Sequence, residues 1–208
     1  MFAAEGEDLV EAALDAGIEP AELLVAGESV EPALLAEVST LAHPPRVIGV
    51  FRRQDLPSGP LPGPGLALWH VADPGNVGTL LRSADALGPA FVALSSACAD
   101  PTGPKALRAS MGAVFRVPVV AFDEAPGRRV ALVAHGGSAL HETELSEHTT
   151  FVLGAEREGL PEEVLAACES RVTIPVAAAV DSLNVATAGA IALYELSRRN
   201  TSGARHRT

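Results

Sequence analysis

The stretch IPVAAAVDSLNVATAGAIALYE, residues 174–195, decides which fold this chain can adopt. It combines the end of an apolar strand, a loop of small residues and a long apolar helix that we predict over residues 183–199. Ser182 and Asn184 stand where that helix needs an N-cap, and its many alanines allow close packing against neighbouring elements. A strand, a loop and a helix in this order indicate one unit of an α/β fold.

A second connection of the same kind is predicted upstream, in residues 151–161, FVLGAEREGLP. The strand in this stretch ends at Gly154, and the loop that follows carries Glu156 between two glycines. Open α/β sheets bind ligands where their strands end. Taken alone, however, the stretch is also explained as an ordinary turn whose acids favour the dipole of the next helix.

A third connection is predicted in residues 73–88, DPGNVGTLLRSADALG. The pattern favours a loop that enters a helix, with Asn76 as the N-cap and Arg82 two turns further on. A simple turn followed by a solvated helix face explains this stretch equally well when it is taken alone. Its glycine spacing is not that of a dinucleotide-binding loop, and the chain has no phosphate-binding P-loop pattern.

Short apolar runs alternate with helical segments through the rest of the chain beyond residue 65, which predicts a mostly parallel sheet. The predicted strands are residues 66–71, 90–94, 117–119, 130–134, 150–153 and 172–174, and the predicted helices are 77–87, 105–113, 161–167 and 183–199. The sequence therefore predicts one α/β domain over residues 66–199, followed by a flexible polar tail at 200–208.

Residues 1–56 predict a small α/β unit of their own. Its predicted elements are helix 7–16, strand 22–26, helix 32–40 and strand 47–51. Residues 57–65 contain four prolines, which lack a backbone N–H donor, and three glycines, which add conformational freedom. We therefore place a linker and domain boundary there.

The composition limits the classes of function. A chain of 208 residues with 48% apolar residues can bury a core, and its lack of a long apolar run predicts a cytoplasmic protein that does not contact membranes. Cys98 and Cys168 are too few for a disulfide framework. The net charge of −11 excludes indiscriminate phosphate binding, and residues 1–60 carry eleven acids against three bases, so any contact with RNA must be local.

The three stretches, read in order, contain Asn-x-Gly-x-x-x-Arg, then Gly-x-Glu-x-x-Gly-Leu, then Ile-Pro followed by Ser-Leu-Asn-Val. In this combination the chain resembles the SpoU (TrmH-type) family of knotted SPOUT RNA ribose 2′-O-methyltransferases. Residues 108–118, RASMGAVFRVP, add supporting matches, and the resemblance extends from residue 66 to residue 197. It implies a C-terminal trefoil knot, a homodimer, and S-adenosylmethionine as the cofactor.

The resemblance also implies where the cofactor binds. Backbone groups of the knot would hold it, and the positions that correspond are Leu153, Gly154, Ile174, Pro175, Leu183 and Asn184. Two positions depart from the common family pattern: Val176 stands where a methionine is frequent and Ala178 where a glycine is frequent. Either change is expected to narrow the pocket.

Arg82 is the catalytic residue that the resemblance implies, acting together with a substrate phosphate. Asn76, Glu156, Ser182 and Asn184 would position the ribose and the cofactor. Because an arginine with a pKa above about 12 is a poor general base, we assign Arg82 an orienting and phosphate-binding role. The proton acceptor stays open between phosphate and Glu156. No metal is predicted, because the spacing of His135, His141 and His148 matches no metal-binding motif. These histidines are expected to lie in solvated loops.

The predicted substrate is structured RNA, with ribosomal RNA favoured over transfer RNA because residues 1–56 resemble a ribosomal-protein-like RNA-binding domain. The basic segment that usually precedes Phe2 in such domains is absent, so the unit is expected to be shortened or to contact RNA unusually. A unit that only supports the dimer is the alternative. A knotted RNA-binding dimer without catalysis and a nicotinamide oxidoreductase are the other functions considered, and the missing glycine fingerprint disfavours the second.

Overall fold

Two β-sheets organise the protein. The computed structural model describes residues 1–58, 61, 63–88, 90–177 and 181–205, the last six of these by their backbone alone. A three-stranded sheet lies in the N-terminal quarter of the chain, and a seven-stranded sheet contains the strands that follow.

The N-terminal sheet is antiparallel, with the order β1-β3-β2. Its elements are β1 (Phe2–Glu5), α1 (Glu7–Asp15), β2 (Glu22–Val25), α2 (Pro32–Val38) and β3 (Val47–Phe51). Strand β1 was not predicted, because a run of four residues with two alanines has weak strand propensity. Its pairing with β3 creates it: Phe2 lies opposite Phe51 and Glu5 opposite Ile48.

The large sheet has the order β6-β5-β4-β9-β7-β10-β8, and every neighbouring pair in it is parallel. The prediction of a mostly parallel sheet is therefore confirmed. Its strands are β4 (Gly65–Leu68), β5 (Phe91–Leu94), β6 (Val119–Ala121), β7 (Arg128–Leu132), β8 (Ser138–Ala139), β9 (Thr149–Leu153) and β10 (Ser170–Thr173). The helices associated with it are α3 (Pro74–Leu87), α4 (Pro104–Ser110), α5 (Glu162–Ala166) and α6 (Val185–Arg205).

Alternate residues of the central strands enter two different cores. Leu66 and Phe151 join the larger core beneath α3, α4 and α6, whereas Ala67 and Val152 join a smaller core that includes Val164 of α5. The sheet is therefore a middle layer with helices on both faces, as a parallel sheet requires. Because the strands are parallel, the segments that follow β4, β9, β7 and β10 all leave the sheet at one edge.

Aromatic packing joins the two sheets. The Phe115 ring lies 6.0 Å from the Phe2 ring and 5.2 Å from the Phe51 ring, measured between centroids, and all three belong to the larger core. Arg53 also forms an ion pair of 2.6 Å with Asp100, and this guanidinium holds the pKa of Asp100 well below its usual range. The N-terminal unit therefore packs against the large sheet as part of one core.

Element boundaries differ from the predictions at two informative places. Strand β4 ends at Leu68 rather than residue 71, because His70 adopts a positive φ of 55° that turns the chain. Helix α6 continues through residues 200–205 to Arg205, so it ends six residues later than the helix predicted over residues 183–199. That segment contains no proline, and an established helix extends through such residues.

Parts of the predicted linker and of the predicted tail fall outside the described residues. Residues 59, 60 and 62 of the predicted linker and residues 206–208 of the predicted tail lie outside them. Gly65, the last predicted linker residue, already belongs to β4. No helix in the described ranges combines the length and the apolar character needed to cross a bilayer.

The shared core makes a testable prediction. Replacing Phe115 by Ala should lower the free energy of unfolding by about 3–5 kcal/mol, because it removes a fully buried ring. Calorimetry should record one transition shifted to lower temperature, since both sheets depend on this ring. Met111→Ala is the control, because Met111 is 50% exposed nearby in the chain. Two separate transitions in the Phe115 variant would contradict a shared core.

Candidate active site

Two adjoining cavities lie at the edge of the large sheet where the strands end. The inner cavity has a volume of about 570 Å³ and the outer one about 640 Å³, both within the range of about 300–1,000 Å³ typical of small-molecule sites. Segments 132–135, 153–160 and 181–185 line the inner cavity, together with Ile174, Val176 and Ala188. His70, Ala72, Asp73, Asn76, residues 155–158 and Asn184 line the outer cavity.

Asn76 connects all three sequence motifs through hydrogen bonds. Its side-chain amide donates to Glu156 Oε1 at 2.8 Å, and its Oδ1 accepts a hydrogen bond from the Asn184 amide at 3.1 Å. These partners are 80 and 108 residues away in the sequence. Since residues 155–158 and Asn184 line both cavities, the bridge lies at the wall between them.

Asn76 is available for this bridge because another residue caps α3. The predicted N-cap was wrong: Asp73 is the cap, and its Oδ1 accepts from the backbone N–H of Asn76 at 3.1 Å. Lys105 donates to the other oxygen of Asp73 at 2.9 Å, and this contact, with the backbone bonds, lowers the pKa of Asp73. Pro74 occupies the first helical turn, where no backbone donor is needed.

Asn184 caps the last helix. Its Oδ1 accepts hydrogen bonds from the backbone N–H groups of Ala186 at 2.9 Å and Thr187 at 3.2 Å. The amide nitrogen of the same side chain is therefore oriented towards Asn76. Ser182, the other cap candidate, lies before the helix and lines the inner cavity. The N-terminus of α6 thus fixes the position of the bridge.

Most residues predicted to bind the cofactor come together at the inner cavity. Leu153, Gly154, Ile174, Leu183 and Asn184 line it, whereas Pro175 is exposed and does not. A side chain at Gly154 would collide with the backbone of Gly159, so only glycine allows this tight loop. Val176 lines the cavity at 36% exposure, and Ala178 lies outside the described residues.

The inner cavity has the chemistry to hold a sulfonium cofactor. Apolar side chains such as Leu153 and Leu183 provide contact area for an adenosine group. Glu156, Glu158 and Asp181 supply carboxylates and Arg157 supplies one cation, a lining that favours a ligand carrying both positive charge and a carboxylate. The residues present therefore fit S-adenosylmethionine.

Arg82 does not meet the other predicted site residues within one chain. It lies on the exposed face of α3 and lines neither cavity. Within the described residues, its guanidinium has no ion pair or hydrogen bond. The opposite side of α3 packs against α4 and α6, where a side chain at Gly78 would meet the backbone of Ala106 and Ser110. Arg82 therefore faces outwards from a tightly packed helix.

Two residues of the outer cavity were missed as site residues. His70 and Arg157 both line it, next to Asn76 and Glu156. The sequence offered a signal for each of them: Arg157 lies within the second motif, and His70 belongs to a Trp-His pair just before the first motif. No cluster of three or more metal-ligand side chains occurs among the residues that the structure describes.

Comparison with a family model establishes the class of protein. Residues 65–194 match the model of the SpoU rRNA Methylase family, which covers more than half of the chain. The chain belongs to this family, and the predicted resemblance is confirmed.

Curated relatives agree with this family membership. An uncharacterised tRNA/rRNA methyltransferase of Synechocystis is 34% identical over 85% of this chain and 67% of its own length. The 23S rRNA (uridine(2479)-2′-O)-methyltransferase of Streptomyces viridochromogenes is 32% identical over 67% of this chain and 54% of its own. The chain thus spans about half to two thirds of the length of these relatives.

Solved structures share the fold. The SpoU methyltransferase AviRb of Streptomyces viridochromogenes, in complex with S-adenosylmethionine, matches with a TM-score of 0.84 and 26% identity over 97% of this chain and 91% of that one. An rRNA methyltransferase of Sinorhizobium meliloti with the same cofactor matches with a TM-score of 0.82 and 28% identity over 96% of this chain and 87% of that one. The likeness includes both sheets of the described fold, because it covers nearly the whole chain.

The bridge can be tested by placing two carboxylates together. Asn76→Asp should lower stability by about 1 kcal/mol at pH 8, because Glu156 is exposed and the repulsion is screened. Repulsion raises the pKa of one carboxyl in the folded state, so acidification to pH 5 should restore stability.

Asn76→Ala is the matched control for this measurement. It removes both side-chain hydrogen bonds of Asn76 without adding charge, whereas Asn76→Asp loses the donor to Glu156 and keeps an acceptor for Asn184. The loss of stability in Asn76→Ala should therefore be equal at pH 5 and pH 8. Thermal melts of both variants across this range provide the comparison. A pH-independent loss for Asn76→Asp would mean that Asn76 does not contact Glu156.

Proposed function

We propose that the protein is an S-adenosylmethionine-dependent RNA 2′-O-ribose methyltransferase acting on ribosomal RNA. The observation that carries the proposal is the Asn76 bridge, which joins Glu156 and Asn184 at the wall between the two cavities. A methyl donor in the inner cavity and an acceptor ribose in the outer cavity would meet at this wall. Two adjoining cavities favour a transfer reaction over simple binding of one ligand.

When bound, the cofactor supplies a methyl group on a positively charged sulfur. The ribose oxygen forms the new bond to that methyl carbon, the carbon–sulfur bond breaks to leave a neutral thioether, and the hydroxyl proton must leave. Glu156 lines both cavities and is held by Asn76, so it can orient the hydroxyl or take this proton. A substrate phosphate is the other acceptor. Asn184 and Ser182 position the donor side.

The order of strands supports the knot that the family resemblance implies. Strand β10 pairs with both β7 and β8, although β7 and β8 follow one another in the chain. The connection over residues 133–137 must therefore cross the end of β10. Residues 133–135 of this connection and the segment after β10 line the inner cavity together, the arrangement expected if one segment passes through the loop of the other. We propose a trefoil knot at this point.

A homodimer is part of the proposal because of the position of Arg82. Helix α3 packs beside α6, which exposes Ile191 (36%) and Tyr194 (57%) one turn apart. A second copy that covers these apolar side chains would also approach the outward face of α3. In a two-fold dimer, Arg82 of one subunit would then orient the acceptor bound in its partner's outer cavity.

The N-terminal sheet is proposed to assist RNA recognition, as the family resemblance implies. Its eleven acids among residues 1–60 make it a poor phosphate binder, so its contacts would be to bases or sugars. Support for ribosomal RNA comes from the relatives named as 23S rRNA methyltransferases, including one from Bacillus subtilis at 36% identity over 61% of this chain and 54% of its own. Transfer RNA is the alternative that the same experiment separates.

The test is incubation of the protein with cofactor carrying a labelled methyl group and total RNA, followed by mapping of the labelled nucleotide. We expect a single ribose in 23S rRNA to be labelled. Label in transfer RNA would revise the substrate, and label on a base would contradict ribose chemistry. Absence of transfer with retained cofactor binding would favour a non-catalytic dimer.

Variants of Arg82 give this assay its sharpest control. Arg82→Ala should reduce transfer by about 10²–10³-fold, the usual loss for one oriented contact in a transition state. Cofactor affinity should stay unchanged, since Arg82 lines neither cavity. Arg82→Lys should rescue little, because lysine lacks the planar fork that holds two oxygens. Near-native activity of Arg82→Ala would remove this residue from the mechanism.

Mixed subunits decide whether Arg82 acts across the dimer. Subunits that carry Arg82→Ala are mixed with subunits that carry Leu183→Trp, a substitution that fills the inner cavity. If Arg82 acts in the partner's site, heterodimers contain one complete site and the mixture should recover roughly a quarter of wild-type activity. No recovery, with heterodimers present, would place Arg82 in its own subunit's site.

A further inference from the structure

Two residues of the outer cavity have no role in the proposed transfer. His70 lies directly after β4, and Arg157 lies in the loop after β9. Both line the cavity in which the acceptor ribose would bind. Neither was identified as a site residue from the sequence, and both show physical features that ordinary folding does not require.

His70 has a strained backbone. Its φ is 55°, in the left-handed region that favours glycine, and only Met111 shares this feature among the other described non-glycine residues. Such a conformation is strained and persists where the surroundings fix it, often at functional sites. Here the backbone N–H of His70 donates to Ser95 Oγ at 2.9 Å, which holds the turn. Asparagine or glycine would adopt it with less strain.

The imidazole ring of His70 is part of an aromatic stack. It lies 4.5 Å from the Trp69 ring with an interplanar angle of 11°, and Trp69 is the only tryptophan in the chain. Phe122 meets the tryptophan edge-on at 5.1 Å, which supports the stack from the core. His70 is half-buried and lines the outer cavity. The cavity therefore has a supported flat ring in its wall, the kind of surface on which nucleobases stack.

Arg157 is unusual for a cation of this acidic protein. Most of its basic side chains are neutralised by carboxylates, as in the pairs Arg53–Asp100, Arg116–Asp85 and Arg171–Glu162. Among arginines whose side chains the structure describes, only Arg82 and Arg157 have neither an ion pair nor a hydrogen bond. Arg157 is exposed and lies beside Glu156 and Glu158 in the cavity wall. The neighbouring carboxylates repel anions in general, but the planar guanidinium can still bind one anion that is oriented to accept its hydrogen bonds.

We propose that the Trp69–His70 stack binds a nucleobase of the RNA substrate and that Arg157 binds a neighbouring phosphate, so that these residues position the acceptor nucleotide in the outer cavity. This inference rests on the proposed function and adds the contacts by which RNA is held. A base on His70 and a phosphate on Arg157 would fix the ribose between them from both sides. That ribose would then face the wall formed by Asn76 and Glu156.

The test is binding of two fluorescent probes, measured by anisotropy at 50 mM salt with S-adenosylhomocysteine present. One probe is a single-stranded dodecamer of uridine, and the other is an abasic dodecamer with the same phosphates and no bases. His70→Asn tolerates the left-handed backbone and removes the ring. It should weaken uridine binding by about tenfold and leave abasic binding unchanged. His70→Phe, which keeps a ring, should retain most of the affinity.

Arg157→Ala should weaken binding of both probes and lower the salt dependence of uridine binding by about 0.7 in log–log slope, the value for one phosphate contact to a single strand. Arg157→Lys should restore part of the affinity. Arg171→Ala is the matched control, because it removes the same charge from a cation already paired with Glu162 at 2.8 Å. It should change neither probe. Thermal melts should show that His70→Asn is as stable as the parent protein or more stable.

Each contrary result is decisive. Loss of stability in His70→Asn without loss of uridine affinity would make His70 structural, and equal weakening of both probes would make it a phosphate ligand. No effect of Arg157→Ala, or failure of the parent protein to bind either probe, would overturn the inference. Because binding is measured without turnover, the two proposals fail separately. If RNA is methylated but the variants bind both probes like the parent protein, only the proposed nucleotide site is contradicted. If the variants change binding as expected but no RNA is methylated, only the proposed function is contradicted.

Discussion

The Asn76 side chain is the contact on which the arrangement of the site depends. It receives a hydrogen bond from Asn184 and gives one to Glu156, so three segments far apart in the sequence are fixed at one point. The bridge exists because helix capping leaves the required groups free. Asp73 caps α3, which leaves the Asn76 side chain unused by its own helix. Asn184 caps α6 with its Oδ1, which leaves its Nδ2 to donate to Asn76. Local helix chemistry thereby orients the groups that a transfer reaction needs.

Parallel strands place this bridge where two cavities adjoin. Because β4 and β9 are neighbours and point the same way, the loops that follow them emerge side by side. The first contains His70 and leads into α3 with Asn76, and the second contains Glu156 and Arg157. The first loop faces the outer cavity, and the second lines both. A donor and an acceptor can therefore bind on opposite sides of one wall. One of the two arginines without an ion pair or hydrogen bond among the described side chains, Arg157, lies in this wall, so a local contact with RNA is compatible with the acidic character of the chain.

Strand periodicity and loop chemistry, which are local properties, predicted the class of fold, and the family resemblance of the three motifs taken together implied the segments of the site. Sequence reasoning did not predict what depends on distant partners. Strand β1 exists through its pairing with β3, and the cap of α3 was assigned to Asn76 although Asp73 was better placed. The last helix was ended too early, because residues 200–205 lack the apolar periodicity by which a helix is recognised in a sequence. The turn at His70 could not be foreseen, because histidine rarely adopts a positive φ.

The most direct test of the central claim is a double-mutant cycle of Asn76→Ala and Asn184→Ala, read out as kcat/KM for methyl transfer to RNA. If the two side chains act through one bridge, the double variant should be little worse than the more damaged single variant, with a coupling energy of about 1 kcal/mol or more. The cycle subtracts the separate loss of the α6 cap. Additive effects of the two substitutions would contradict the account, because they would mean that Asn76 and Asn184 contribute to the reaction independently.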